Sequence, residues 1–375
     1  MRNSKSGWVC AALTLGLVCA EVQAEELCVE RSGCGGAVMC AVPADRAERG
    51  PWAVGARTVT IQGLKTEIWY PASQGSQRGA SPRVYDIRQQ LPVSEQAKIP
   101  EEDAPFQHCD CYGDLPLDAA HGPYPIVLFA HGTGGFRTQS LHLMVHLASR
   151  GFVVVAADHP GLYLGDLLSF QMNAAVAKNV DAIMSALSKS APGLEFLAGH
   201  LQIDRIAALG HSSGGRGIEG FGSRPGVRVV AVMAAEGVTA GAFLKSALIL
   251  GAVNDKVVPY TKQQDGYRRS PSPKRLLGIG NAGHLVFSDL CTIKNDKGQD
   301  MPQIAVAHGV KNAQLAYWLW DGCKPEQIDP AVGWRIVQFA VTGTLEPVLQ
   351  CDTTEGIFTG IQERFPEISE SQAGP

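Results

Sequence analysis

Along the chain, apolar residues gather into short unbroken runs separated by amphipathic stretches. Pro125 to Ala130, Phe152 to Ala157, Ile206 to Leu209, Val227 to Ala235, Ala247 to Gly251 and Leu276 to Ile279 are such runs. Each is the length of a strand and too short for a buried helix. Between them the spacing turns helical. Leu141, Met144, Val145 and Ala148 share one face over 138–149. Val176, Val180, Ile183, Met184 and Leu187 share another over roughly 167–189, and a further helix is predicted near 331–343. Upstream, two β-rich runs within 57–70 flank Gly63 and stop at Pro71, which predicts a hairpin. Strands alternating with helices imply βαβ units and a parallel sheet. Unbroken apolar strands are those buried on both faces. The predicted fold class is therefore α/β, a mostly parallel central sheet with helices on both faces. Every run ends in a loop bearing Gly, His, Ser or Asp, and in open α/β sheets the sites collect at those carboxyl ends.

The flanks are less regular. Arg2 and Lys5, the apolar stretch Val9 to Ala20, and Val22-Gln23-Ala24 read as a signal peptide over 1–24, cleaved near Ala24. That predicts a periplasmic or secreted protein. A Cys-rich segment over 25–56 comes next, then the main domain over 57–345. The main domain is expected to carry a surface insertion at about 72–120 and a cap at about 291–330, with a C-terminal extension over 346–375. No later run reaches the roughly 18 apolar residues of a spanning helix, so no integral membrane segment is expected.

Composition sharpens this only in places. Of the 375 residues 45% are hydrophobic and 18% charged, ample apolar side chain for a core, which excludes a disordered tail protein. The formal charge of −4 and the absence of any Lys/Arg cluster exclude a nucleic-acid partner. Cleavage would leave Cys28, Cys34, Cys40, Cys109, Cys111, Cys291, Cys323 and Cys351, an even set that fits a disulfide framework in an oxidising compartment. Cys291–Cys323 is the first expected bridge. Cys109 and Cys111, two residues apart, are expected to bond to different partners.

The chemistry centres on Gly210-His211-Ser212-Ser213-Gly214. A G-x-S-x-G pentapeptide after an apolar strand and before a helix makes a sharp turn that lifts the Ser hydroxyl above the sheet. Such a hydroxyl needs a base beside it, and the base needs a carboxylate to orient it. The chain order expected here is Ser, acid, His. Asp255 lies just past the run ending at Gly251, and His284 lies in the loop after the next run. Glu236, one strand earlier, is the alternative acid. A tetrahedral intermediate needs two N–H donors. The backbones of Ser213 and of Thr133, within His131-Gly132-Thr133-Gly134-Gly135, are the candidates. This chemistry calls for no metal and no cofactor. His142 and His146 have metal-pair spacing but lack the Glu of a zinc-peptidase helix. His108-Cys109-Asp110-Cys111 is assigned to disulfides rather than to a ligand set. His159 is expected to line the site or brace its loop, and Tyr317, Trp318 and Trp320 to pack in core or cap.

Together these motifs resemble the α/β-hydrolase superfamily. More narrowly, the chain resembles secreted Ser esterases grouped with platelet-activating-factor acetylhydrolases, dienelactone-hydrolase-like proteins and cutinase-like polyester hydrolases. The resemblance is carried by Ile68-Trp69-Tyr70-Pro71-Ala72, Pro125 to Gly135, Asp158-His159-Pro160-Gly161, Ser212, Asp255 with Val258-Pro259, and Gly283-His284. It covers about 57–290. It implies an α/β-hydrolase fold and hydrolysis of a small-molecule or lipid ester through an acyl-enzyme. Two departures stand. Dienelactone hydrolases use Cys where this chain has Ser212, and the acetylhydrolases carry the acid one strand before Asp255. The same machinery would also suit a lipase or polyester hydrolase, or an acyltransferase. A catalytically silent secreted binding module is the alternative from another class.

Overall fold

A computed structural model describes residues 28–30, 32–40 and 42–374. The expected signal peptide, 1–24, lies outside the described residues. An eleven-stranded sheet runs through the molecule in the order β13-β12-β11-β10-β9-β7-β8-β4-β3-β6-β5. A separate two-stranded sheet pairs β1 (Cys28–Glu30) with β2 (Val38–Cys40). The hairpin is β3 (Val54–Ile61) and β4 (Leu64–Pro71), turned by Gln62 and Gly63, both at positive φ. The six predicted runs become β7 (Tyr124–Ala130), β8 (Val153–Ala157), β9 (Leu201–His211), β10 (Val227–Met233), β11 (Ser246–Ala252) and β12 (Lys274–Ile279). All five of their neighbour pairings are parallel. Every residue of β7 and β8 is buried, as strands covered on both faces must be. One apolar core lies on each side of the sheet. This is an α/β-hydrolase fold.

The connectivity fixes where chemistry can happen. From β7 the chain crosses to β8 on one side, then returns to β9 on the other. The strand order therefore reverses between β7 and β9, the position where open α/β sheets leave a crevice. Ala130 is in register with Gly210, so the loops beginning at His131 and His211 emerge side by side.

Several expectations are corrected. The stretch 72–120 is not only a surface excursion. It supplies β5 (Pro82–Asp86) and β6 (Phe106–Gly113), which extend the sheet. The inward positions of β6 are Gln107, Cys109 and Cys111, so no run of large apolar residues announced the strand. The extension over 346–375 supplies the opposite edge, β13 (Ile368–Gly374), antiparallel to β12. The single helix expected over 167–189 is two, Leu164–Leu168 and Val176–Ser188. Between them Phe170 turns to positive φ, and the backbone at Asn173 and Ala174 packs on Gly161, where a Cβ would clash.

Cys109 and Cys111 bond to each other, not to different partners. Between paired residues Val84 and Pro82 of β5, the facing strand β6 advances four residues, from His108 to Tyr112. The resulting bulge draws the two Cα atoms to 5.0 Å, within disulfide range. Cys291–Cys323 forms as expected, and Cys34–Cys351 joins the N-terminal segment to the chain just after helix Pro330–Leu349.

Candidate active site

Ser212 stands at the top of β9 with φ 53° and ψ −122°, a strained conformation for a residue with a side chain. Its N–H bonds the Met233 carbonyl at 2.8 Å. The glycines around it are dictated by space. A Cβ at Gly210 would come within 2.6 Å of the Gly215 nitrogen, and one at Gly214 would overlap the carbonyls of Ala130 and His131. Strand, turn and following helix Ser213–Ile218 can approach this closely only without those carbons.

Asp255 and His284 come from the loops after β11 and β12. The loops are laced by Asn254 N–H to the Ala282 carbonyl at 3.0 Å. His284 Nδ1 lies 2.8 Å from Asp255 Oδ2, with both side chains buried. The other carboxylate oxygen, Oδ1, accepts the N–H groups of Val257 and Val258, each at 2.8 Å. The Asp255 carboxylate is thus fixed at both ends, and the imidazole has its Nδ1 side oriented. Glu236 is elsewhere. Its carboxylate is 39% exposed and lies 3.9 Å from Arg269, so the structure pairs His284 with Asp255 instead.

The two candidate oxyanion loops meet. Thr133 Oγ1 and Ser213 Oγ are 2.8 Å apart, which ties the loop after β7 to the residue after Ser212. Ser213 opens its helix, so its N–H belongs to the first turn, where helix N–H groups lack an intrahelical acceptor. Behind them His131 Nδ1 donates to the Gly132 carbonyl and His131 Nε2 accepts the His159 N–H at 3.0 Å. Burial pushes both rings below the ordinary histidine range, well below for His159. His159 therefore braces the loop as a neutral, fully buried ring.

Two features escaped sequence reading. Asp321 Oδ2 accepts the N–H of His284 and of Lys256, each at 2.9 Å, and so holds the His284 loop and the Asp255 loop together. A Cβ at Gly283 would come within 2.6 Å of the Gly322 nitrogen, and Cys323 ties this same segment to Cys291. An Asp thirty-seven residues after the His, in a polar loop, gave no periodic or motif signal. The second feature is the pair Gln139 and His211, both buried beside the site.

Beside His284 and Thr133 opens a narrow cavity with mostly apolar walls. Leu91, Ile99, Leu168, Met301, Ala305 and Leu319 are among its walls. Arg88 is its one lining residue that is Arg, Lys, Asp or Glu, and the Arg88 guanidinium is engaged by Asp86. The aromatic segment divides. Trp320 lines the cavity, whereas Tyr317 and Trp318 are 47% and 83% exposed, not packed in a core. His142 and His146 face different partners. His142 meets Asp289 and stacks on Trp334, while His146 Nε2 meets Thr342.

The fold is that of the α/β-hydrolases. Residues 44–162 match the family model described as platelet-activating factor acetylhydrolase, isoform II, and residues 116–221 match the chlorophyllase model. Both are families of carboxylic ester hydrolases. The two matches overlap across β7 and its Gly-rich loop, and the second reaches Ser212. Asp255 and His284 lie beyond both.

Proposed function

We propose that the protein is an exported serine esterase that hydrolyses a carboxylic ester of a small molecule or lipid through an acyl-enzyme. The observation that carries this reading is the 2.8 Å bond from His284 Nδ1 to Asp255 Oδ2, set at the same sheet edge as the strained Ser212. Ser212 Oγ attacks the acyl carbon while its proton passes to His284 Nε2. Asp255 holds Nδ1–H and stabilises the imidazolium that forms. The carbonyl oxygen becomes an oxyanion, received by the backbone N–H groups of Thr133 and Ser213. The C–O bond to the alcohol then breaks, and His284 returns the proton to the departing oxygen. Water repeats the sequence on the acyl-Ser212. It gives its proton to His284, and the acid leaves as Ser212 regains it. The apolar cavity beside His284 suits a hydrocarbon portion of the ester and offers no free charge to anchor a charged one.

Disulfides among the described residues favour an oxidising compartment, and no described helix is long and apolar enough to cross a membrane. The test is labelling by a fluorophosphonate together with turnover of an ester series of rising acyl length. Ser212→Ala should abolish labelling and lower turnover by about 10³-fold or more. Retention of more than roughly a tenth of the rate, a loss under ~1.4 kcal/mol, would overturn the assignment.

A further inference from the structure

Gln139 and His211 are neither acid, base, nucleophile nor oxyanion donor, yet they join the loops that carry those groups. Both side chains are almost wholly buried, at 1% and 2% exposure. Gly132 N–H donates to Gln139 Oε1 at 3.1 Å. The Gln139 amide nitrogen lies 2.9 Å from His211 Nδ1, and His211 Nε2 lies 3.0 Å from the main-chain oxygen of His284. The proton positions follow from what each group can do. A backbone N–H only donates, so the amide oxygen faces Gly132 and the amide NH₂ faces the ring. That NH₂ also only donates, so His211 Nδ1 is the bare, accepting nitrogen. The ring proton then sits on Nε2 and is donated to the His284 carbonyl. Burial, with the neighbouring His284 adding to it, holds His211 well below the ordinary histidine range, so the ring stays neutral.

The Gly-rich loop is shaped around this chain of bonds. A Cβ at Gly135 would overlap Gln139 Oε1, and one at Gly132 would lie 2.9 Å from His211 Nδ1. Gln139 is also held by its main chain, where its carbonyl accepts the Asp289 N–H at 2.8 Å. Both side chains face the cavity, but the polar atoms named here already have their partners.

We propose that Gln139 and His211 are positioning residues, a bridge from Gly132 N–H to the His284 carbonyl that holds the oxyanion loop and the base loop at one fixed separation. The proposal rests on the esterase reading above. The intermediate must meet Thr133 N–H and His284 Nε2 at once, and an ångström of drift between them costs rate without costing ground-state binding.

The experiment measures kcat and KM per active site, with sites counted by exhaustive fluorophosphonate labelling, for Gln139→Met, His211→Leu and His211→Gln. Gln139→Met keeps the volume and loses both bonds. His211→Gln replaces the ring with an amide whose NH₂ can sit where Nε2 sat. Gln139→Met and His211→Leu should each lower kcat by about 30-fold with KM within about threefold, while His211→Gln should recover to within about fivefold of wild type. A part that only filled space would show no such rescue. The proposal is overturned if Gln139→Met keeps kcat per labelled site within about threefold, or if His211→Gln is as slow as His211→Leu. Where His211→Leu yields no labelled sites, Gln139→Met decides alone. Failure of the esterase reading itself shows separately, as activity surviving Ser212→Ala.

Discussion

Asp255→Asn offers a sharp test of the acid, because the structure dictates how the new amide must sit. Asp255 Oδ1 accepts two backbone N–H groups, from Val257 and Val258, and Oδ2 faces His284 Nδ1. An amide has one accepting and one donating end. With its oxygen toward Val257 and Val258, its NH₂ points at Nδ1. The imidazole must then carry its proton on Nε2, where it cannot take one from Ser212. Turned over, the amide would correct the tautomer but aim NH₂ at two N–H donors. Each buried bond lost costs about 1–3 kcal/mol, so the turned form is disfavoured by at least ~2 kcal/mol. That bias alone leaves about 3% of molecules productive, a loss of about 30-fold in kcat. Lost stabilisation of the imidazolium carries the expected loss toward 10⁴-fold, the order measured when such an acid becomes an amide in a Ser-His-Asp protease. Glu236→Gln is the control. Its pair with Arg269 is long and exposed, so the rate should stay within about twofold. Steady-state hydrolysis of a nitrophenyl ester at pH 7.5, with sites counted by fluorophosphonate, measures both. Asp255→Asn retaining over a tenth of kcat, or Glu236→Gln losing more than Asp255→Asn, would refute the reasoning.

Two further outcomes follow from buried groups and staples. Burial, and then the charge of Arg150, hold His146 down to about 3. The unfolded chain protonates this ring near 6.5, so its contribution to stability is complete above that pH and is lost as pH falls toward 3, by up to about 1.4 kcal/mol per unit. His146→Gln should therefore flatten unfolding free energy between pH 7 and pH 5 by about 2 kcal/mol in denaturant titrations, and curves parallel to wild type would contradict this. The disulfides should separate by function. Replacing Cys291 and Cys323 by Ser frees the segment that holds Asp321 against His284, and should lower both melting temperature and kcat. Replacing Cys34 and Cys351 removes a longer loop constraint, worth about 3–5 kcal/mol, and should lower melting temperature alone. A kcat drop of equal size in both would undo the distinction.

The legible part of this chain was the part whose residues meet their structural demands locally. Buried parallel strands must be apolar at every position, so β7 to β12 announced themselves. A strand-to-helix turn too tight for a Cβ must be glycine, so Gly210 and Gly214 marked the elbow. Loop order along a doubly wound sheet then pointed to Asp255 and His284. What stayed hidden depends on partners far away in sequence. The inward residues of β6 are Gln107, Cys109 and Cys111, buried because the fold packs helix Leu141–Ser149 against this strand and sets Thr138 against Gln107. β13 contains Glu370, Ser371 and Gln372 and is a strand because β12 offers it a free edge. Asp321 is a loop carboxylate until the fold lays it against His284. In the loop after β7, Gly132 and Gly135 make room for His211 and Gln139, a demand set by side chains that the loop meets only in the fold.

The same contrast runs through the site itself. Ser212, Asp255 and His284, the groups proposed to react, follow the ends of central strands, where the sheet fixes them. Much of the cavity wall comes instead from two segments roughly two hundred residues apart, 87–105 and 290–320. These contribute Leu91, Ile99, Ile304, Val310 and Ala313 to one small apolar cluster, which Leu168 joins. Their contact is fastened by polar links. Asp103 takes His308 at 3.0 Å and Lys297 at 2.5 Å. Glu95 Oε2 accepts the Lys311 N–H at 2.6 Å, and Lys98 reaches the Gly309 carbonyl at 2.8 Å. None of these links touches β7, β9, β11 or β12. In the proposed esterase the wall that shapes the substrate cavity is thus largely built apart from Ser212, Asp255 and His284, and substitutions at wall residues such as Leu91, Ile99 and Ala305 can change substrate choice while leaving the geometry of those three in place.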